Sequence, residues 1–453
     1  MTLAAGNVRI TGAGPTGALL AIFLRRRGIP VTLYERRADP RTQPHEHGRS
    51  INLALADRGM HALKEAGAYT HIRDALIPMR GRMIHDRTGA TVLQPYGQRP
   101  NEVIYSISRN RLNDLLLDLA TRQFGAQAHF EHELCDLDAG SGVARIQDLA
   151  GGRRFDVPAA PLLVAEGAGS AARHHLAAGR HIAVRIEPLE HAYKELTIPA
   201  AADGGHVLER EALHIWPRGD FMLIALPNTD GSFTATLFLQ RIRLDSLRDP
   251  GEIERFFTAS FPDARALMPA LISEFQHHPT GALATVYANP WHSRGAVLLV
   301  GDAAHGVVPF HGQGMNCCFE DCVEFDRLID RHNSWDALFQ EFERVRKPNT
   351  NAIAAMAIEN YLEMRERVAD TRFQLQKLLS LELERRHPAR FIPRYSMVSF
   401  HHEIGYATAA ARGTVQQEIL DELTRDAGGI DEIDYGSAAR MIETRLTPLP
   451  LAE

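Results

Sequence analysis

Three glycines and one acidic residue near the N-terminus have the spacing of a dinucleotide site. Gly12, Gly14 and Gly17 follow a short apolar strand at residues 8–11 and open a helical segment. Their backbone can approach a pyrophosphate, which would lie against amides at the positive end of that helix. Glu35 ends a second strand about 20 residues further on, where its carboxylate can accept hydrogen bonds from a ribose diol. This pattern predicts a dinucleotide ligand and fits FAD and NAD alike.

A second glycine–acid motif begins at Gly301 and leads into another predicted helix. Asp302 can bind a ribityl chain, which FAD has and NAD lacks. Met315 and Asn316 open the helix, whose N-terminal amides would stabilise the negative charge of a reduced flavin. The two motifs together favour FAD.

The histidines and cysteines lack the spacing of a metal site. His305 and His311 have no carboxylate or third ligand at a known spacing, and we expect the thiols of segment 317–322 to be buried structural groups. The four cysteines have neither the number nor the spacing of a disulfide framework. We therefore predict no metal and a cytoplasmic location.

The elements around these motifs predict an α/β fold: a Rossmann-like FAD-binding domain, an antiparallel-sheet substrate domain and a C-terminal helical region. Residues 1–180 and 291–345 are expected to form the FAD-binding domain, because the chain returns there with a buried strand before Gly301. Alternating apolar runs separated by Pro/Gly/Asp turns predict the substrate sheet over 181–290. Helical spacing then predicts that 346–453 closes the substrate pocket.

Composition excludes several classes of protein. The chain has 453 residues, 45% of them apolar, which is typical of a globular protein that can bury a sizeable core. Lys plus Arg number 50 against 56 Asp plus Glu, so a general nucleic-acid binder is not expected. We also predict no transmembrane segment, because no stretch approaches the roughly 20 apolar residues that span a bilayer.

Several further segments resemble the class A flavoprotein monooxygenases over roughly residues 7 to 400, and within them the group that hydroxylates kynurenine. The glycine motifs are shared by the wider superfamily, whereas segments 48–55, 79–85 and 213–218 are much more specific. Segments 359–365 and 391–395 are the last that match. The resemblance implies the FAD-binding set Gly12, Gly14, Thr16, Gly17, Tyr34, Glu35, Arg36, Arg37, Ala54, Arg109, Leu134, Asp302, Met315 and Asn316.

For the substrate, the resemblance implies a small aromatic amino acid. Its amino-acid end would be held by Arg82, Tyr96, Asn360 and Tyr395, and a guanidinium with phenols and an amide suits a carboxylate. We expect its ring to contact an apolar slot with His311 near the reacting face. The slot would be formed by Ile224, Leu226, Phe238, Pro309 and Phe310.

The activity implied by the resemblance is hydroxylation of L-kynurenine to 3-hydroxykynurenine. NADPH would reduce the bound FAD, and O2 would add to it to give the flavin C4a-hydroperoxide that hydroxylates the ring. No catalytic side chain is predicted, because the cofactor carries the chemistry and His311 is at most accessory. A homodimer is compatible with this reading.

Two alternatives stay open. One is a sibling flavin hydroxylase of a substituted kynurenine or another anthranilate-like aromatic. The other is a flavin-binding sensor without turnover, suggested by Glu166, which stands where the superfamily usually has Asp. That substitution makes cofactor affinity and NADPH use the properties to test.

Overall fold

The computed structural model describes residues 6–42, 52–366 and 371–449, and its strands and helices alternate over most of that length. The strands in chain order are β1 (Val8–Thr11), β2 (Val31–Glu35), β3 (Asn52–Leu55), β4 (Ile77–Met79), β5 (Gly81–His85), β6 (Thr91–Pro95), β7 (Ile104–Ser108), β8 (Gln127–Phe130), β9 (His132–Asp138), β10 (Val143–Asp148), β11 (Arg154–Pro158), β12 (Leu162–Val164), β13 (Ala183–Ile198), β14 (Ala212–Pro217), β15 (Met222–Pro227), β16 (Phe233–Gln240), β17 (Thr280–Asn289), β18 (His292–Ser293) and β19 (Val297–Leu299).

The α-helices in chain order are α1 (Pro15–Arg26), α2 (Asp57–Glu65), α3 (Tyr69–Ile72), α4 (Arg109–Asp118), α5 (Ala171–Ala178), α6 (Arg241–Ser246), α7 (Pro250–Ser260), α8 (Pro262–Ala266), α9 (Leu271–His277), α10 (Asp302–His305), α11 (Gly314–Ile329), α12 (Trp335–Glu366), α13 (Thr371–Arg386), α14 (Arg394–Phe400), α15 (Tyr406–Leu423) and α16 (Tyr435–Arg445).

A six-stranded sheet forms the first domain, in the order β18-β19-β12-β1-β2-β8, and it is parallel except for β18. Every residue of β2 is buried, as expected for a parallel strand that is covered on both faces. Thr11 pairs with Tyr34, so Gly12 and Glu35 lie at the same carboxyl edge of the sheet. Ligands of doubly wound folds bind at such an edge, and the predicted Rossmann-like domain is confirmed.

A seven-stranded sheet, in the order β17-β13-β16-β15-β14-β5-β6, forms the second layer. It is antiparallel apart from the β14–β5 pair, in which Leu213 lies opposite Arg82. Strands β5 and β6 come from the segment before residue 100, so two separate stretches of chain build this sheet. A core that includes Trp216, Phe233 and Phe257 packs against it beside helices α7 and α9.

Helices α12 to α16 form the C-terminal region, which confirms the helical prediction. Ile353, Met397 and Tyr406 belong to one core shared by α12, α14 and α15, and a second core joins α13, α15 and α16. Short α14 carries Tyr395 towards the seven-stranded sheet, where it packs near Tyr96. In the described residues we find no helix that is long and apolar enough to cross a membrane.

Candidate functional site

The glycine turn after β1 packs so closely against neighbouring backbone that two of its positions cannot accept a side chain. Gly12 has a φ of +92°, and a Cβ there would lie 2.4 Å from the carbonyl oxygen of Ala165. A Cβ on Gly17 would lie 2.0 Å from the carbonyl oxygen of Gly12. Helix α1 starts at Pro15 without a side-chain cap, so its first amides remain available for an anion.

Glu35 holds this turn in place. One of its carboxylate oxygens accepts a hydrogen bond from the amide of Ala13 at 2.9 Å. The other accepts from the amide and the Nε of Arg37, at 3.0 and 2.9 Å. The buried carboxylate therefore orders the glycine loop and also lines the groove in which a ribose would lie.

The groove at the carboxyl edge of the six-stranded sheet has a volume of about 330 Å³ and collects most of the predicted FAD residues. Two others, Ala54 and Met315, line an adjoining cavity. Gly17 and Asn316 line neither of these two spaces. The predicted residues in the groove are Gly12, Gly14, Thr16, Tyr34, Glu35, Arg36, Arg37, Arg109, Leu134 and Asp302.

Asn316 is fully buried and shapes the backbone beside the adjoining cavity. Its amide nitrogen donates to the carbonyl oxygens of Ala54 and Gly312, both at 2.9 Å. Its amide oxygen accepts from the backbone nitrogen of Ala56, also at 2.9 Å. Asn316 thus ties the start of α11 to the loop between β3 and α2.

A buried ionic network that sequence reasoning missed supports the second motif. Asp321 accepts hydrogen bonds from the amide of Gly301 at 3.1 Å, from His305 at 2.6 Å and from Arg346 at 2.7 Å. Burial opposes ionisation of Asp321, but the charges of His305 and Arg346 outweigh it and lower the pKa of its carboxyl. The network fixes the turn before Asp302, which lies where the groove and the adjoining cavity meet.

Glu166 also has a definite structural place. Its carboxylate accepts from the Oγ of Ser170 at 2.8 Å and from the amide of Ala172 at 3.0 Å, so it caps the start of α5. Arg173 then bonds to the carbonyl oxygens of Ala303, at 3.0 Å, and of Ala168. The loop that begins at Glu166 lines the groove and is tied to the second motif.

The adjoining cavity, of about 260 Å³, lies between the flavin-binding edge and the seven-stranded sheet and has mostly apolar walls. Arg82 lies at one end of it, with its guanidinium carbon 5.7 Å from the ring centroid of Tyr96 and 4.8 Å from that of Tyr395. Burial raises the pKa of Tyr96, so its phenol stays protonated and can donate. The other predicted substrate residues on its walls are Ile224, Leu226, Phe238, Pro309, Phe310 and His311.

Asn360 lies just beyond Arg82, in a second and more polar cavity of about 430 Å³ that also touches Tyr96, His311 and Tyr395. Its amide nitrogen donates to the carbonyl oxygen of Phe310 at 2.6 Å, which joins α12 to the apolar cavity wall. Nine of the ten predicted substrate residues therefore line the apolar cavity, and Asn360 lines its neighbour. The two cavities share the wall residues Arg82, Tyr96, His311 and Tyr395.

His311 lies between the two cavities, and its ring stacks on that of Tyr395 with centroids 5.3 Å apart. Burial lowers its pKa to about 4, so the imidazole is neutral at pH 7. Its Nδ1 is buried and has no hydrogen-bond partner among the described residues. Such an atom suits a site that is completed by a bound ligand.

Sequence reasoning also missed part of the apolar wall. Leu213 and Ile215 line the cavity from β14, and Met222 lines it from β15. Their two-residue spacing on a strand placed Leu213 and Ile215 on one face, so alternation was the signal that could have found them. Cys318 lines the cavity from α11 as a buried thiol.

Together the two spaces can hold an extended flavin dinucleotide and, beyond it, a flat ring with an anionic end. The groove offers free helix amides, a carboxylate for a ribose and a tight turn whose backbone packing requires glycine. The cavity offers an apolar slot that ends in a guanidinium beside two stacked phenol rings.

This fold and site define a flavin-binding protein, and the protein-family model described as "FAD binding domain" matches residues 6–330. Among curated proteins, the kynurenine 3-monooxygenase of Xanthomonas campestris pv. campestris is 47% identical over 446 residues, covering 98% of this chain and 97% of the relative. The protein of that name from Myxococcus xanthus is 45% identical over 445 residues, covering 98% and 96%. The chain belongs to the kynurenine 3-monooxygenase family, which confirms the resemblance inferred from its motifs.

Solved structures agree on the fold at much lower identity. The tetrameric form of 2-methyl-3-hydroxypyridine-5-carboxylic acid oxygenase superposes with a TM-score of 0.64 at 19% identity, covering 81% of this chain and 95% of that one. PqsL of P. aeruginosa in complex with 2-aminobenzoylacetate also has a TM-score of 0.64, at 18% identity, covering 80% and 97%.

Proposed function

We propose that this chain is an FAD-dependent monooxygenase that hydroxylates L-kynurenine to 3-hydroxykynurenine, with NADPH and O2 as co-substrates. The observation that carries the proposal is the apolar cavity that joins the flavin-binding edge to Arg82, Tyr96 and Tyr395. Its shape and polarity match a substrate with an aromatic ring at one end and an amino acid at the other. Full-length similarity to proteins named kynurenine 3-monooxygenase supports the same substrate.

The residues of the chain bind and orient the substrate in this proposal. Arg82 pairs with the carboxylate, and the phenols of Tyr96 and Tyr395 and the amide of Asn360 complete its hydrogen bonds. Phe238 and the other apolar side chains hold the ring and exclude water. Bound FAD would supply the redox chemistry that activates O2.

The substrate ring needs little help from acid–base groups. The aromatic amine of kynurenine already activates the adjacent ring carbon, so deprotonation by a strong base is not required. His311, which burial keeps neutral, can accept or donate a hydrogen bond near the ring without adding charge to the slot. A neutral imidazole there fits a cavity whose main task is positioning.

The test is NADPH oxidation by the FAD-loaded protein with and without L-kynurenine, followed by mass spectrometry of the product. We expect kynurenine to accelerate NADPH oxidation and 3-hydroxykynurenine to accumulate in proportion to the NADPH consumed. A panel of substituted kynurenines and anthranilate-like aromatics serves as the comparison. A better substrate in that panel would favour the sibling hydroxylase, and a yellow protein that never oxidises NADPH would favour the sensor.

We further propose that the enzyme works in the cytoplasm and forms a homodimer. Reduced thiols support the first point, since Cys317, Cys318 and Cys322 are buried and unpaired. Light scattering on the FAD-loaded protein tests the second, and a monomeric mass at all concentrations would contradict it.

A further inference from the structure

The two strands that carry part of the substrate cavity also carry a polar cluster on their other face. Arg82 on β5 and Leu213 and Ile215 on β14 line the cavity. Successive side chains of a strand point to opposite faces. His85 and His214 therefore lie behind the wall, on the same two strands and in the only parallel pair of this sheet among the described strands.

Hydrogen bonds join this cluster into a chain. Nδ1 of His85 lies 2.8 Å from a carboxylate oxygen of Asp263, which also accepts from the indole nitrogen of Trp216 at 2.7 Å. Nε2 of His85 lies 2.9 Å from Nδ1 of His214, and Nε2 of His214 lies 2.8 Å from the carbonyl oxygen of Glu209. Both imidazoles are buried, with exposures of 3% for His85 and 1% for His214.

The partners determine where the protons are. A carbonyl oxygen only accepts, so Nε2 of His214 donates to Glu209. Burial lowers the pKa of His214 to about 4, so that ring is neutral and its Nδ1 accepts a hydrogen bond from Nε2 of His85. At the other end, burial opposes ionisation of Asp263, but hydrogen bonds from His85 and Trp216 lower its pKa to about 2. The carboxylate is thus an acceptor, and Nδ1 of His85 also donates.

His85 is therefore the ring of this pair that has a hydrogen-bond acceptor at each of its nitrogens. Its ring stacks on the Trp216 indole with centroids 4.1 Å apart, an arrangement that favours a cation. The guanidinium of Arg218 donates to the carbonyl oxygen of His85 at 3.1 Å. The charged side chains that face this cluster from the surrounding elements are Asp263, Arg218, Asp86, Arg87 and Glu209.

We propose that His85 is a positioning residue for the substrate: as a cation between Asp263 on α8 and His214 on β14, it clamps β5 to β14 and so sets the position of Arg82. The proposal rests on the proposed function, because Arg82 is assigned there to the substrate carboxylate. A charge-assisted hydrogen bond on each side holds the strand more firmly than neutral pairs would. Loss of the proton removes one of the two bonds and loosens the strand that carries the guanidinium.

The first test reads the protons directly in the FAD-loaded wild-type protein, with 15N-labelled histidine. The His85 signals are assigned as those that disappear in His85→Gln. At pH 7.5 both ring nitrogens should be protonated, and in Asp263→Asn only one should be. A single protonated nitrogen in the wild type would overturn the proposal, whatever substrate the enzyme uses.

The second test separates positioning from a general structural role. In His85→Gln we expect KM for L-kynurenine to rise about tenfold, the effect of weakening one charge-assisted hydrogen bond, with kcat and FAD affinity little changed. His278→Gln is the matched control, because that ring bonds to the backbone carbonyl of Glu195 in the same domain.

The outcomes are distinct. An unchanged KM in His85→Gln would overturn the positioning role. So would a fall in kcat and in FAD affinity as large as the rise in KM. If the wild type fails to hydroxylate kynurenine, the proposed function fails, while the imidazolium is still decided by the nitrogen signals.

Discussion

At the scale of single residues, the candidate site depends on charged and polar groups with a defined partner. Glu35 orders the glycine turn, Asp321 orders the turn before Asp302, and Glu166 caps α5. The side chain of Glu166 folds back so that its carboxylate accepts hydrogen bonds from Ser170 and Ala172. The extra length relative to Asp is thus used within the loop that caps α5. The departure from Asp at this position is therefore compatible with a bound cofactor.

Arg82 gives the sharpest prediction at this scale. Arg82→Ala should raise KM for L-kynurenine by about ten- to a hundredfold, because a hydrogen-bonded charge contributes about 1.5–3 kcal/mol. FAD should stay bound, since Arg82 lies at the end of the cavity away from the nucleotide groove. Steady-state kinetics and flavin absorbance measure the two effects. Arg80→Ala, at a more exposed position beside the same strand, is the control, and an unchanged KM in Arg82→Ala would refute the pocket assignment.

At the scale of elements, α14 is held over the cavity from outside its own sequence. Arg58 on α2 is almost fully buried and donates to the carbonyl oxygens of Met397, Val398 and His401, at 3.3, 3.0 and 3.2 Å. These are the carbonyls that the end of a helix leaves without intrahelical partners. Because α14 carries Tyr395, the same contacts position one substrate residue.

Arg58→Leu should therefore destabilise the protein and disturb the site together. Leaving several buried carbonyls without a donor, and leaving Glu320 with Arg346 as its remaining arginine partner, should cost about 3–5 kcal/mol, as for a broken buried ion pair. We expect a lower thermal midpoint for the FAD-loaded protein and a higher KM for L-kynurenine. Arg73→Leu removes an exposed arginine and should change neither value. A variant with wild-type stability would show that water can replace Arg58 at the end of α14.

At the scale of the whole molecule, the C-terminal helices dock on the first domain through a pH-sensitive contact. Asp57 at the start of α2 accepts from the backbone nitrogen and the Nδ1 of His402, at 2.9 and 2.7 Å. The hydrogen bond with Asp57 raises the pKa of His402. Burial opposes ionisation of Asp57, but the hydrogen bonds from His402 lower its pKa.

The sign of the pH effect follows from these two directions. A raised histidine pKa contributes stability below about pH 6.5 that is lost as the pH rises through the folded pKa. A lowered aspartate pKa contributes stability above about pH 4 that is lost as the pH falls through its folded value. The thermal midpoint of wild type minus that of Asp57→Asn should thus be greatest between about pH 4 and 6.5 and shrink above that interval. Both groups are partly exposed, so the effect is modest.

The matched control for this contact is Asp74→Asn, because the side chain of Asp74 is 91% exposed. Its thermal midpoint should follow the wild type at every pH. A difference between wild type and Asp57→Asn that stays constant from pH 5 to 9 would contradict the proposed docking contact.

Much of the first domain could be predicted because its signals are local. The glycine spacing from Gly12 to Gly17, the strand on each side and Glu35 all lie within about 30 residues, the length of one βαβ unit. A turn that needs φ of +92° at Gly12 restricts that position to glycine whatever surrounds it. The alternation of apolar residues likewise predicted the antiparallel strands before any contact was known.

The sequence by itself determined the class of ligand and the two kinds of domain, since backbone conformation and side-chain periodicity depend mainly on neighbouring residues. Spacing and periodicity could not bring Arg82, His311 and Tyr395 together, because each comes from a different element and distance along the chain does not give distance in space. The family resemblance implied that they meet, and only the tertiary structure shows the cavity that they share. The same holds for His85, whose sequence context is that of an ordinary strand residue, because its partners Asp263 and His214 come from other elements.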